Sequence, residues 1–155
     1  MWEPLQRYRA LDSQSQRIFR RAAVLLPLVR ASLRLRGYGK TYESLRKRIE
    51  PTLAAAVAQA DPAAALQSTC RMVRAAVHYS FVTFTCLEES LTLWYLLSNR
   101  GIAARLRIGV RKDDGTFEAH AWVEHEGLAL NQPEARHKHY AAFEKDFPQP
   151  PAEQP

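Results

Sequence analysis

The spacing of apolar residues separates a helical first half of the chain from a second half that contains strands. Over positions 13–36, apolar side chains recur every three or four residues, which is the spacing of one helix face. Ser13 and Gln16 match a capping box that predicts where this helix starts. Pro27 should kink or divide the helix, and Gly37 should end it. The apolar face comprises Ile18, Ala22, Leu25, Leu26, Val29 and Leu33.

Shorter helices are predicted to follow the first one. Thr41 can cap a helix over 42–49, and the alanine-rich stretch 53–60 favours another. Asp61 has the side chain of an N-cap, and the proline after it suits the first helical position, so we predict a helix over 62–77. The N-terminal half of the chain is therefore predicted to form a helical layer.

A further helix and the first strands are predicted after that layer. Apolar residues at helical spacing follow Cys86, and Gly101 is a natural end for their helix. Apolar residues then alternate with arginines over 105–111, which is strand spacing. An Asp-Asp-Gly hairpin signal at 113–115 leads to a second strand over 117–124.

The last predicted elements complete a small antiparallel sheet. Glu126-Gly127 predicts a tight turn into a short strand over 128–131. The predicted fold class is α+β, with a helical N-terminal layer followed by the helix that starts at Cys86 and then the sheet. The predicted divisions are one domain over 1–147, its helical part over 1–80, its core over 81–147 and a disordered proline-rich tail over 148–155.

Composition and charge restrict the class of protein. The 155 residues carry a formal net charge of +6 and two cysteines. Their apolar runs are all far shorter than the ~20 residues of a membrane span, and the N-terminus lacks a signal-peptide pattern. Two cysteines are too few for a disulfide framework, so we expect a reducing cytoplasm. The basic residues lie opposite apolar ones at helical spacing, so we expect no nucleic-acid partner.

Cys86 is the first candidate for chemistry, because it stands at the start of a predicted helix. The positive end of the helix dipole and the unpaired backbone N–H groups there stabilise a thiolate. The same groups could hold an oxyanion during acyl transfer. A free cysteine is more often a small buried apolar residue, which is what we expect of Cys70 in mid-helix.

His120, inside the second predicted strand, is the candidate base. It shares a strand face with Trp122 and Glu124, and an imidazole that reaches the thiol of Cys86 makes a nucleophile and its base. Without that thiol, a structural histidine hydrogen-bonded in the sheet would be the better interpretation. The other histidines have no candidate partner in the sequence comparable to the Cys86 thiol, so we expect no metal site. They are His78, His125, His137 and His139.

The group that orients this imidazole depends on the register of the last strands. With a two-residue turn at Glu126-Gly127, Asn131 lies diagonal to His120 on one face of the sheet. A three-residue turn would move Asn131 to the opposite face. Asn131 could also serve as a turn former ahead of Pro133.

Three stretches, taken together, resemble a known family. They are CLEESLTLWYLL at 86–97, RGIAARLRIGV at 100–110 and AHAWVEHEG at 119–127. The residues of these stretches and the spacing between them resemble the lasso-peptide leader peptidases. Those enzymes are cysteine proteases with a transglutaminase-like, papain-like core. The close match covers about residues 84–131.

The resemblance implies roles for residues and for partners. It implies a nucleophile at Cys86, a base at His120 and a third triad member at Asn131, where the fold commonly has aspartate. Cys-His-Asn triads do operate in papain-like proteases. It also implies a split enzyme that acts on a precursor leader peptide together with a separate leader-recognition protein, and an asparagine-synthetase-like lasso cyclase is a further candidate partner. We expect no cofactor, because the chain contains no P-loop pattern.

Two other functions stay open at this point. The same triad could act on a glutamine side chain, by transglutamination or deamidation. The domain could also be a non-enzymatic peptide-binding scaffold or a basic nucleic-acid module with an idle cysteine. The identity of the acyl donor separates the two enzymes, and the reactivity of Cys86 relative to Cys70 separates both from the scaffold.

Overall fold

The computed structural model describes residues 6, 8–49, 61–113, 116–131 and 141–142. The helices are α1 (Ser13–Arg46), α2 (Pro62–His78) and α3 (Cys86–Asn99). The strands are β1 (Arg105–Asp113), β2 (Thr116–His125), β3 (Leu128–Ala129) and β4 (Ala141–Ala142). Helices thus precede strands along the chain, and the predicted α+β fold class is confirmed.

The start of α1 is capped by a different residue from the one predicted. Asp12 is the N-cap, and its carboxylate accepts the N–H of Ser15 at 2.9 Å. The predicted capping box of Ser13 and Gln16 is therefore wrong, and the Gln16 side chain instead donates to the Leu11 carbonyl at 3.1 Å. An aspartate brings a full negative charge to the positive helix end, which favours it over the neighbouring serine.

The backbone of α1 breaks at Gly37, as predicted. Gly37 has a φ of 75° and a ψ of 176°, which are not helical, and it divides α1 into two helical segments, one before it and one that continues to Arg46. The second segment starts directly after Gly37, so Thr41 lies inside it, where its hydroxyl donates to the Gly37 carbonyl at 2.8 Å. A separate helix was therefore predicted correctly, but its start at residue 42 and its cap at Thr41 are wrong. Pro27 also lies inside α1, and the departure from helical dihedral angles is at Gly37.

The predictions for α2 and α3 are confirmed. Asp61 caps α2 by accepting the N–H of Ala64 at 3.0 Å, with proline in the first turn. α3 begins at Cys86 as predicted. Its end is followed by Gly101, whose φ of 70° lies in the left-handed region that glycine adopts without strain.

The sheet has the strand order β3-β2-β1-β4. β1 and β2 pair antiparallel with Asp113 opposite Thr116, which agrees with the predicted hairpin. β4 pairs with β1 at Gly109 and Val110, and no sequence pattern indicated this strand. It is two residues long, which is too short for an alternating pattern to be recognised.

The turn between β2 and β3 confirms the predicted register. His125 pairs with Leu128, so Glu126-Gly127 is a two-residue turn, and φ is 50° at Glu126 and 81° at Gly127. Two positive φ values are typical of the type I′ turn that matches the twist of paired strands. β3 ends at Ala129 rather than at residue 131 as predicted.

The hydrophobic core lies where the three helices meet one face of the sheet. Leu26 of α1, Val73 of α2, Leu97 of α3 and Val123 of β2 belong to one buried cluster. Burial of a side chain of this size contributes roughly 1.5–3 kcal/mol. Since α3 contacts α1, α2, β1 and β2, the helix that carries Cys86 is held from several sides.

Some predictions fall outside the described residues. They are the helix over 53–60, the turn residues 114–115, the segment with His137 and His139, and the tail over 148–155. Within the described ranges, none of the helices combines the length and the hydropathy that crossing a membrane requires.

Candidate active site

Cys86 is the first residue of a helix whose N-terminus is tied by two reciprocal hydrogen bonds. The Thr85 side chain accepts the N–H of Glu88 at 3.3 Å, and the Glu88 carboxylate accepts the N–H of Thr85 at 2.7 Å. Such a cap stabilises a helix by about 1 kcal/mol. It also fixes where the helix starts, so the half-buried Cys86 is held in the turn whose N–H groups have no partner within the helix.

Arg30 of α1 holds the segment that leads into this cap. It donates from Nη1 to the carbonyl of Thr83 at 2.6 Å. Its guanidinium also lies 5.9 Å from the centre of the Phe84 ring, within the range of a cation–π contact. The Arg30 Nε atom is 3.9 Å from the carboxylate of Glu88. The position of Cys86 therefore depends on a residue of the first helix, which sequence analysis did not single out.

His120 lies in β2, opposite Gly109 of β1. Its ring is 6.1 Å from that of Trp122 with an angle of 17° between the planes, so the two side chains share one sheet face as predicted. Ala121 and Val123 turn to the other face and are buried in the core region. Gly109, the partner of His120 in β1, contributes no side chain next to the imidazole.

Ser90 joins the helix of Cys86 to the strand of His120. Its buried hydroxyl donates to the carbonyl of Ala121 at 3.0 Å. Cys86 precedes Ser90 by one helical turn, or ~6 Å along the axis. His120 precedes Ala121 by one residue. This hydrogen bond therefore ties the helix that begins at Cys86 to the backbone of β2, one residue after His120.

Asn131 lies at the same junction of helix and strand. Its Oδ1 accepts the N–H of Val123 at 2.8 Å, and its Nδ2 donates to the Ser90 hydroxyl at 2.8 Å. The side chain thus continues the β2 ladder where β3 has ended, which explains why β3 is shorter than predicted. These are the two hydrogen bonds of the Asn131 amide among the described residues, and the imidazole of His120 is not a partner in either of them.

Sequence analysis gave no role to Ser90. The available signal was a hydroxyl residue one turn after Cys86 in a helix with a largely apolar buried side. That signal is weak by itself, because a serine in a helix often bonds to its own backbone. Only the position of β2 shows that the hydroxyl bridges two elements.

The second cysteine is in a different environment. Cys70 packs against the core from α2. Burial raises the pKa of Cys70, and the positive charge of Arg74 offsets this only in part. A thiol that resists ionisation is a poor nucleophile, so Cys70 has the character of a small apolar side chain, as expected.

The other described histidines make local contacts. His78 packs edge-on against Tyr79, with ring centres 5.0 Å apart, and His125 bonds through Nδ1 to the Ala103 carbonyl at 2.5 Å. Among the described residues, no three side chains of histidine, cysteine, aspartate or glutamate are placed to hold a metal ion.

The start of α3 has features that acyl transfer uses. A thiolate is favoured at a helix N-terminus, and the N–H groups of the first turn can face an oxyanion that develops there. A scan of protein families matches residues 22–145, more than half of the chain, to a model described as the transglutaminase-like superfamily. Comparison with curated proteins and comparison with solved structures gave no match. The family is typically one of cysteine peptidases or acyl transferases, and this chain belongs to the transglutaminase-like superfamily.

Proposed function

We propose that this protein is a cysteine protease that removes the leader from a lasso-peptide precursor. Membership of the transglutaminase-like superfamily supports cysteine-based acyl chemistry. The three stretches at 86–97, 100–110 and 119–127, which resemble the leader peptidases, support the narrower assignment. The observation that carries the proposal is the Ser90–Ala121 hydrogen bond, because it joins the turn of Cys86 to the strand of His120.

The proposed reaction divides peptide cleavage into two steps. His120 takes the thiol proton of Cys86, and the thiolate attacks the carbonyl carbon at the leader–core junction. The C–N bond breaks, the leader stays on Cys86 as a thioester, and the proton passes from His120 to the amine of the released core. Water, deprotonated by His120, then attacks the thioester. The C–S bond breaks, His120 returns the proton to the thiolate of Cys86, and the leader leaves as a free acid. The core leaves with the free amine that a cyclase needs.

Asn131 is proposed as the third member of the catalytic unit. Its amide ties Val123 of the histidine strand to Ser90 of the cysteine helix. An asparagine in this place orients the imidazole by holding the strand that carries it. Loss of an orienting residue is usually less severe than loss of the nucleophile or base.

The proposed partners are the precursor leader peptide and a separate leader-recognition protein, with the lasso cyclase as a further candidate. In the described part of the chain, the strands all follow α3, and the region before it contributes helices. This arrangement resembles the split enzymes, in which another protein binds the leader. A small pocket for the threonine that usually precedes the last leader residue is part of the same proposal.

The proposal is tested by incubating the full chain with a synthetic lasso precursor, with and without a recognition protein from the same gene cluster. Mass spectrometry should show two products, a leader acid and a core with a free amine. Incubation in water enriched in ¹⁸O should place the label in the leader carboxylate. Precursor that stays intact under both conditions would count against a leader peptidase.

Glutamine acyl transfer is the second candidate, since the same family contains transferases. It predicts loss of ammonia from a glutamine side chain, either with incorporation of a primary amine or with a mass gain of about one unit on deamidation. A glutamine peptide offered with a fluorescent primary amine distinguishes this activity from peptide cleavage. A scaffold without activity would give neither product and would leave Cys86 no more reactive to iodoacetamide than Cys70.

A further inference from the structure

A cavity lies at the opposite end of α3 from Cys86. Its volume is about 370 Å³, and it forms where the first turns of α1 and α2 meet the C-terminal cap of α3. At ~1.5 Å per residue, the length of α3 separates it from Cys86 by roughly 20 Å. The residues that line it include Asp12 and Ser15 at the start of α1, Asp61 and Arg71 at α2, and Arg100 at the end of α3.

Arg100 is buried in the wall of this cavity without a counter-charge. Arg100 is 7% exposed. Its Nε and Nη2 atoms are buried, and no described group accepts a hydrogen bond from either of them. Burial lowers the pKa of Arg100 from its ordinary 12.5, because desolvation disfavours the charged form. A buried guanidinium without acceptors is costly, so this one points to a partner that the described residues do not provide.

The two aspartates of the cavity are engaged by their own helices. Asp12 accepts the hydroxyl of Ser15 at 2.6 Å and its N–H at 2.9 Å, and Asp61 accepts an N–H of the first turn of α2 at 3.0 Å. The Ser15 hydrogen bonds lower the pKa of Asp12. Among the ion pairs of the described residues, none involves Arg71 or Arg100. Two guanidinium groups therefore line the cavity, and no carboxylate among the residues that the structure describes is paired with either of them.

We propose that this cavity binds an oxyanion, a phosphate or a carboxylate group, through Arg100 and Arg71. A planar guanidinium can donate two parallel hydrogen bonds to a phosphate group or to a carboxylate group. The N-terminal ends of α1 and α2 border the same cavity, and their dipoles add positive potential there. The site is separate from Cys86 and His120, so it does not rest on the proposed protease activity.

Thermal unfolding of the full chain tests the site. The protein is kept in a zwitterionic buffer at constant ionic strength while inorganic phosphate is titrated in one arm and acetate in the other. We expect a saturable rise in Tm, by roughly 3–6 °C, with at least one of these anions. A response to phosphate alone identifies a phosphate site, and a response to acetate identifies a carboxylate site.

Two variants and a control assign the response to the cavity. Arg100→Met should be at least as stable as the wild type without anion, since the buried charge is gone, and should lose the saturable rise. Arg71→Gln should need at least about tenfold more anion for half of the rise, and it serves as the test if Arg100→Met does not fold. Arg21→Gln removes the same charge from an exposed part of α1 and should respond like the wild type.

Two results would overturn the proposal. One is the lack of a saturable rise in Tm of the wild type with either anion. The other is an equal rise in the wild type, in Arg71→Gln and in any folded Arg100→Met. Equal responses would mean that anions only screen the surplus positive charge of the chain.

Discussion

Arg30 in α1 pairs with Glu88 in α3 across the segment that leads to Cys86, with 3.9 Å between Nε and Oε1. The Glu88 side chain is 7% exposed, so its charge needs this partner. A buried carboxylate next to the start of α3 would otherwise oppose a thiolate at Cys86. Arg30 thus both shapes the turn and balances the charge of the residue that caps it.

Arg30→Gln should lower the rate of cleavage and slow the alkylation of Cys86 at neutral pH. The reason is that the carboxylate of Glu88 loses the cation that lies beside it. Among the described residues, Glu89 also lies near this turn and interacts with the charges of Arg74 and Glu88. Iodoacetamide labelling at neutral pH measures the effect without any substrate.

The double variant Arg30→Gln with Glu88→Gln separates charge from shape. If the charge of Glu88 causes the slower alkylation, removing that charge should return the alkylation rate most of the way to the wild type. If Arg30 only holds the segment at Thr83, the double variant should stay as slow as Arg30→Gln.

Cys86→Ala should abolish cleavage and leave the fold intact, because the side chain is half-buried at a helix end. The loss of a nucleophile costs several orders of magnitude in rate. Cys70→Ala is the matched control and should cleave at close to the wild-type rate. Cleavage by purified Cys86→Ala, or an equal loss in both variants, would contradict the assignment.

His120→Ala should be as severe as Cys86→Ala, because members of a catalytic unit fail together and not additively. It should also slow the alkylation of Cys86 near neutral pH, where the imidazole supports the thiolate. The two rates are measured by mass spectrometry on the folded variants. An unchanged alkylation rate would show that the two side chains are not coupled.

Asn131→Ala should lower the cleavage rate by ~10- to 1000-fold, less than the loss of Cys86 or His120. Asn131→Asp distinguishes two ways of acting. It keeps an acceptor for Val123 but cannot donate to Ser90, so we expect a loss close to that of Asn131→Ala. Activity that is retained or raised in Asn131→Asp would instead mean that a carboxylate there supports the imidazolium directly.

Glu89→Gln should stabilise the protein at neutral pH. Burial raises the pKa of Glu89 above its ordinary 4.5, and the negative charge of Glu88 raises it further while Arg74 opposes both. A carboxyl with a raised folded pKa contributes stability below its unfolded pKa and loses it as pH rises through the folded value. The Tm of Glu89→Gln should therefore exceed that of the wild type at pH 7, and the two should converge below pH 4.5. A gap that does not change with pH would contradict this.

Local chemistry was enough to predict the elements that carry the site. Thr85 and Glu88 cap α3 from within four residues of each other, so Cys86 could be placed at a helix start from the sequence. Glu126 and Gly127 adopt the positive φ values that a two-residue turn requires, and the register of the last strands followed from them. The fold class followed from the change of apolar spacing along the chain.

Local chemistry also misled where two neighbouring residues competed. Asp12 and Ser13 are both good N-caps, and the aspartate caps α1 because its charge also meets the helix dipole. Thr41 has the side chain of an N-cap, but helical geometry resumes directly after Gly37, so Thr41 lies within the second segment of α1. Neither outcome depends on a distant part of the sequence.

Only the tertiary structure decided how the candidate catalytic residues are held. Arg30 reaches Thr83 across 53 positions, Ser90 reaches Ala121 across 31, and Asn131 reaches Ser90 across 41. Such pairs form because the packing of α1 and β2 against α3 brings polar groups together in places where burial requires a partner. The sequence determines which residues could do the chemistry, because a capped helix start and a strand register are short-range properties. Long-range packing decides which side chains position those residues. No local pattern in the sequence predicts these contacts, because the partners lie 31 to 53 positions apart.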